Sequence, residues 1–209
     1  MKPFYLKLVC LSLVTMGFAL TEANAGDSAE DIVGGRCAVC HGLEGESTSS
    51  QFPKLAGQHA AYLEKQLLDF QSGKRKSDTM GAQVKGIPVG DLKAISLYFS
   101  QKKSEPYLTK DVDLQGVGRY IYTKGNPYSG VPPCASCHST EGFGTERLPR
   151  LASQSARYVA AQLKQFDQRV RTNDNEVMFG IAGKLTELET LGVAEYISTL
   201  PQINGVRLH

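Results

Sequence analysis

Residues 37–98 and 134–196 of this 209-residue chain carry the same pattern, so whatever one stretch folds into, the other must fold into as well. Cys37-Ala38-Val39-Cys40-His41 answers to Cys134-Ala135-Ser136-Cys137-His138. Pro53-Lys54-Leu55-Ala56-Gly57-Gln58 answers to Pro149-Arg150-Leu151-Ala152-Ser153-Gln154, and Tyr62 and Phe70 match Tyr158 and Phe166 at the same offset of 96. Met80 and Tyr98 match Met178 and Tyr196 at an offset of 98. A unit of about 92 residues has the size of a domain, so the pattern reads as duplication and fusion, not as a solenoid of small repeats. The expected division is a first domain over 26–100, a polar linker over 101–110 containing Lys102-Lys103-Ser104-Glu105-Pro106, and a second domain over 111–209.

Residues 1–25 read as an export signal: Lys2 and Lys7, an apolar run from Leu8 to Leu20, and the small-residue triplet Ala23-Asn24-Ala25, with cleavage expected before Gly26. The run is short for a membrane span, which needs roughly 20 apolar residues. Export implies a periplasmic protein, and it removes Cys10, leaving four of the five cysteines. The formal charge of +2, from 23 basic and 21 acidic residues, gives no basic stripe for a phosphate backbone, so nucleic acid is not an expected partner.

Each repeat reads as all-α, because apolar residues recur at helical spacing and no run alternates as a strand would. Leu63, Leu67 and Phe70 form one stripe, closed by Gly73, and Leu92, Ile95 and Phe99 another. Tyr158, Val159, Leu163, Phe166 and Val170 repeat the first, and Leu191, Ala194 and Ile197 the second. Ser28 with Asp31 marks a first helix running into Cys37, and Thr186 with Glu189 has capping-box spacing. The helix over Val112 to Tyr122 is separated from Cys134 by a turn-rich loop, Thr123 to Pro133, which is the main departure from symmetry. Domains of this size with short helices have thin cores, and something other than side chains is expected to fill them.

Cys-x-x-Cys-His is the attachment signal for c-type haem. Two thiols on one helical turn reach the two vinyl groups of one porphyrin, and the adjacent histidine meets the iron from one face. A disulfide or redox pair, or half of a zinc site, is the alternative. Zinc fits poorly with pairs in separate repeats, and a redox dithiol wants a βαβ setting that is missing. Cys37, Cys40, Cys134 and Cys137 are therefore the expected attachment points of two covalent haem c groups, with His41 and His138 as iron ligands. Of the four methionines, Met1 and Met16 belong to the export signal, leaving Met80 and Met178 at equivalent places as candidates for the opposite face. Core methionine is the alternative for each. His59 and His209 are weaker candidates, because Ser155 stands where His59 would repeat and His209 ends the chain; both are expected to face solvent.

With these motifs in hand, each half resembles a small class I cytochrome c, and the whole resembles the di-haem cytochrome c4 family, two tandem domains each wrapped around one covalent haem. The Arg171-Thr172-Asn173-Asp174 and Gly130-Val131-Pro132-Pro133 segments resemble the second half of that family in particular. The resemblance implies that the carbonyls of Pro53 and Pro149 accept a hydrogen bond from the proximal histidines. Lys54 and Arg150 either face haem propionates or are solvated.

Histidine and methionine together raise the haem potential and leave no vacant iron position, which points to an electron carrier without a small-molecule substrate. The family resemblance implies a respiratory carrier between a quinol:cytochrome c reductase or small copper protein and a terminal oxidase. Peripheral association with the membrane surface is compatible with this. The same architecture also resembles the cytochrome subunit of flavocytochrome c sulfide dehydrogenase. A di-haem enzyme such as a peroxidase or thiosulfate dehydrogenase is the third reading, needing one open haem, against which two matched methionines count. If the halves assemble independently, Cys134→Ser impairs attachment of the second haem only, read as haem content per chain by intact mass. Loss of both haems would contradict that independence.

Overall fold

The computed structural model describes Met1, residues 28–109 and residues 111–201. Met1 apart, the export signal of residues 1–25, its cleavage before Gly26, Cys10 and His209 lie outside the described residues, as does Lys110 in the linker. Among the described residues the only pairing of extended backbone is an isolated bridge between Asn126 and Val131, and no helix is long and apolar enough to cross a membrane.

In the first half, α1 (Ala29–Ile32) starts at a capping box in which Ser28 and Asp31 satisfy each other's backbone N–H groups. It runs without a break through a π-helical turn (Val33–Cys37) into α2 (Ala38–His41). After a long loop come α3 (Ala60–Gln71), α4 (Asp78–Val84) and α5 (Val89–Ser100). The second half repeats this with α6 (Val112–Lys124), α7 (Ala135–His138), α8 (Ala156–Asp167), α9 (Val177–Ala182) and α10 (Glu187–Thr199). Here the first helix and the attachment helix are separated by the loop that the turn residues of 123–133 predict. The expected box at Thr186 and Glu189 caps α10.

Two apolar cores form, one per half. Val33, Leu63, Val84, Ile87, Leu92, Ile95 and Phe99 make the first. Ile121, Tyr122, Val131, Ala152, Val159, Val193, Ala194, Ile197 and Leu200 make the second. Two members of the expected stripes are exposed instead. Val170 lies beyond the end of α8, where the chain turns through a left-handed Arg169 and buries Arg171 over the Phe166 ring. Leu191 points outward because α10 meets α6 through small residues: a Cβ on Gly118 would fall 1.8 Å from the Gly192 carbonyl oxygen. That crossing rotates the buried face of α10 onto Gly192, Val193 and Ala194.

The two halves meet along a seam with pseudo-twofold symmetry, built by the repeated Pro-Lys/Arg-Leu-Ala-Gly/Ser-Gln segment. Lys54 N donates to Gln154 Oε1 and Gln154 Nε2 returns a bond to Lys54 O, both 2.9 Å. The equivalent residues do the same in reverse: Arg150 N donates to Gln58 Oε1 at 2.8 Å, and Gln58 Nε2 to Arg150 O at 2.9 Å. Such exchange is what an isologous contact between two copies of one fold produces. Further along, Arg75 Nη2 donates to Tyr158 Oη at 3.0 Å and Arg171 Nη2 to Tyr62 Oη at 2.9 Å. Each guanidinium also stacks over the phenylalanine of its own half, Arg75 over Phe70 and Arg171 over Phe166.

The expectation that His59 faces solvent does not hold. It is half-buried in the seam and its Nε2 lies 2.6 Å from the Phe143 carbonyl, while its counterpart Ser155 donates to Ser50 O at 2.6 Å. The segment joining the halves is docked as well, with Tyr107 N donating to Ser198 O at 2.9 Å and the Lys54 ammonium 4.2 Å from the Tyr107 ring centroid.

Gly118→Ala drives a methyl group into the α10 backbone and is expected to destabilise the second half by about 3 kcal/mol. Denaturant unfolding of the holoprotein measures it, and an unchanged midpoint would contradict the close crossing.

Candidate functional site

Both Cys-x-x-Cys-His motifs form a single helical turn that ends in the same way. Gly42 follows His41 at φ 72°, and Ser139 follows His138 at φ 66°. The left-handed residue turns the chain sharply after each histidine. Glycine takes this conformation without strain, whereas Ser139 is held in it by its own contacts. Its Oγ accepts from Phe143 N at 2.9 Å, and its carbonyl accepts from the fully buried Tyr122 hydroxyl at 2.7 Å.

Beyond the turn, each loop folds back on a glycine carbonyl. Gly45 O accepts from Leu55 N and Ala56 N, and Gly142 O accepts from Leu151 N and Ala152 N. The fold-back sets a proline carbonyl against each imidazole: His41 Nδ1 lies 2.9 Å from Pro53 O, and His138 Nδ1 lies 3.1 Å from Pro149 O. A carbonyl only accepts, so Nδ1 carries the proton and Nε2 keeps its lone pair. Burial lowers the pKa of both histidines, working against the proline bond that raises it, and the imidazoles are neutral at physiological pH.

The thiols have a similar character in both halves. Burial pushes Cys37 up to about 11 against the pull of Arg36, and pushes Cys134 up to about 11. A redox-active dithiol needs the opposite, an acidic thiolate in an electropositive setting. None of the four described cysteines is paired in a disulfide.

Each methionine sits in the first turn of a short helix with its N–H held by a side chain, that of the N-cap Ser77 in α4 and that of Asp174, two residues ahead of the N-cap Glu176, in α9. Met80 N donates to Ser77 Oγ at 3.2 Å, and Met178 N donates to Asp174 Oδ2 at 2.6 Å. Both are half-buried. Met80 and Cys37 border the same apolar core. In the second half Cys134 borders the core, and so do Ile181 and Leu185 downstream of Met178, but Met178 itself does not.

Lys54 and Arg150 are not solvated. Both are buried in the seam, as are Arg75 and Arg171. Lys54 is paired with Glu46 at 2.8 Å, but the guanidinium groups bond only neutral oxygens. Arg150 donates to the carbonyls of Ala56 and Ala152, with its Nε buried and unpartnered. Arg75 and Arg171 donate to the Tyr62 and Tyr158 hydroxyls and to the Gln66, Gln162 and Asn173 amides. Burial lowers Arg150 only to about 10, so it stays cationic at neutral pH. Buried cations facing neutral acceptors call for anions. A porphyrin with two propionates beside each attachment turn fits that donor set. Gln66 and Gln162 were not singled out by sequence reasoning, and neither was the pairing of Arg75 with Arg171, although both pairs share the offset of 96 visible in the repeat.

A sequence-family profile described as Cytochrome c matches residues 27–123. Cytochrome c4 of Pseudomonas aeruginosa is 36% identical over 199 residues, covering 93% of this chain and 98% of that protein. The chain belongs to the cytochrome c4 family. The crystal structure of reduced cytochrome c4 from Pseudomonas stutzeri superposes with a TM-score of 0.78 at 34% identity, covering 84% of this chain and 100% of that one. A thiosulfate dehydrogenase electron acceptor of Stutzerimonas stutzeri is 33% identical over 79% of each chain. As a cytochrome c4, the protein is an all-α tandem of class I cytochrome c domains. It carries two covalently bound haem c groups and serves electron transfer, not enzymatic turnover.

Proposed function

We propose that Cys37 and Cys40 form the thioether links of one haem and Cys134 and Cys137 those of the other. His41 and Met80 ligate the first iron, His138 and Met178 the second. Domains over 26–100 and 111–209, joined by 101–110, follow an export signal over 1–25. The observation that carries this reading is the matched construction of the two sites: an imidazole with only Nε2 left to offer, and a methionine in the first turn of a short helix with its N–H held by a preceding side chain.

When bound, each haem supplies reversible one-electron exchange between ferric and ferrous iron. His41 and His138 offer it a neutral nitrogen, oriented by Pro53 and Pro149. Met80 and Met178 offer a soft thioether that favours the ferrous state and occupies the position an oxidant would need. The seam holds the two attachment helices in one body, so that an electron entering one domain has a fixed neighbour in the other.

In the cell, the protein is a periplasmic carrier working through small transient contacts near the membrane surface. Its donor is a quinol:cytochrome c reductase or a small copper protein, and its acceptor is a terminal oxidase. A second donor is favoured by one specific relative: the Stutzerimonas stutzeri protein named as an electron acceptor of thiosulfate dehydrogenase supports the same role here.

Met80→Ala and Met178→Ala each leave both haems attached, open one iron to exogenous ligands and lower that haem's potential. A variant that keeps two methionine-type low-spin haems would contradict the ligand assignment. Rapid mixing separates the donors. Vesicles containing reductase and oxidase are expected to turn the carrier over with quinol, whereas turnover only with thiosulfate and its dehydrogenase would replace the respiratory donor by the second reading.

A further inference from the structure

The two sites are alike in the residues they offer as ligands, but the methionine segment is tied to the attachment segment by different means in each. Arg36 is the last residue before Cys37, in the π-helical turn that leads into the attachment helix. Its Nη1 donates to the carbonyls of Gln83 at 3.2 Å and Lys85 at 3.3 Å. Those carbonyls lie at the C-terminal end of α4, the helix that carries Met80 in its first turn. A helix end leaves its last carbonyls without intrahelical donors, and a cation there is also favoured by the negative end of the helix dipole. Gln71 takes the neighbouring carbonyls of Val84 and Ile87 at 3.0 and 2.8 Å, tying α4 to α3. Arg36 ties the same end by hydrogen bonds to the segment bearing Cys37, Cys40 and His41, beside the apolar contact that Val84 shares with Val33 and Cys37 in the core.

In the second half the position equivalent to Arg36 is Pro133, which has no side-chain donor. The crossing bond runs in the other direction instead. Lys184, just past α9, donates from Nζ to Gly130 O at 3.2 Å in the loop ahead of Cys134. One flexible ammonium on one carbonyl stands where the first half has a guanidinium on two. The methionine follows the same difference, since Met80 packs against its core and Met178 does not.

We propose that Arg36 is a positioning residue, a latch that holds the Met80 segment against the Cys37–His41 segment and sets how readily the first iron exchanges its methionine. Lys184 is the weaker counterpart at the second. The proposal rests on the ligand reading above, and it makes the second haem the more open to ligand exchange.

The test uses oxidised, fully loaded protein and imidazole as the probe. The iron-bound methionine methyl signals, assigned to each haem by NMR, report displacement site by site. Arg36→Ala is expected to raise imidazole affinity at the first haem by about 5-fold, as loss of an exposed charge-assisted hydrogen bond implies, and to leave the second within about twofold. Arg36→Lys should restore part of the difference. Lys184→Ala should act at the second haem only. An Arg36→Ala protein with unmoved affinity at the first haem, or with equal increases at both, would overturn the latch while leaving the ligands standing. A wild-type protein without a methionine signal at the first haem would overturn the ligand reading and the latch together.

Discussion

A buried imidazole whose Nδ1–H is committed to a proline carbonyl has one nitrogen left, and each half of this protein is arranged around that nitrogen. The left-handed residue after the histidine, the glycine carbonyl that gathers the returning loop, and the proline at its end all serve to bring Pro53 over His41 and Pro149 over His138. Both apolar cores are assembled beside these turns and are small, seven and nine fully buried side chains. Neither would close a domain of this size from side chains alone. A covalently tethered porphyrin would supply the missing apolar volume, with His41 and His138 offering its iron the nitrogen that the proline carbonyls leave available.

The seam between the halves turns duplication into function. Because the same segment sits on both sides, a hydrogen bond made by one copy is returned by the other. The charge there is unbalanced: Lys54, Arg75, Arg150 and Arg171 are buried, and only Lys54 is paired with a carboxylate. The guanidinium donors are spent on carbonyls, amides and tyrosine hydroxyls, and the carboxylates of a bound porphyrin would complement that positive charge. Symmetry is broken at His59 against Ser155, at the loop ahead of Cys134, and at Arg36 against Pro133.

Much of this was legible in the sequence. The paired Cys-x-x-Cys-His motifs and the constant offset announce two equivalent sites, and the Ser28 and Thr186 boxes mark two helix starts to the residue. Local patterns of this kind survive because their causes lie within one turn of helix. What failed had causes far away in the chain. Arg150 looks like a surface arginine until Gln58, 92 positions earlier, closes over its backbone. Leu191 belongs to an apolar stripe until two glycines let α6 approach and turn that stripe aside. Lys54 is likewise buried, and His59 half-buried, by distant partners, Gln154 and Phe143 among them.

The central claim is that both irons are closed by a histidine and a methionine, which makes this chain a carrier with two stations of the same ligand type. The visible spectrum of the purified oxidised protein tests it most directly, through the weak far-red band of methionine sulfur bound to ferric haem, quantified per chain. Two such haems per chain are expected. One or none, with high-spin haem in place of the rest, would contradict the account.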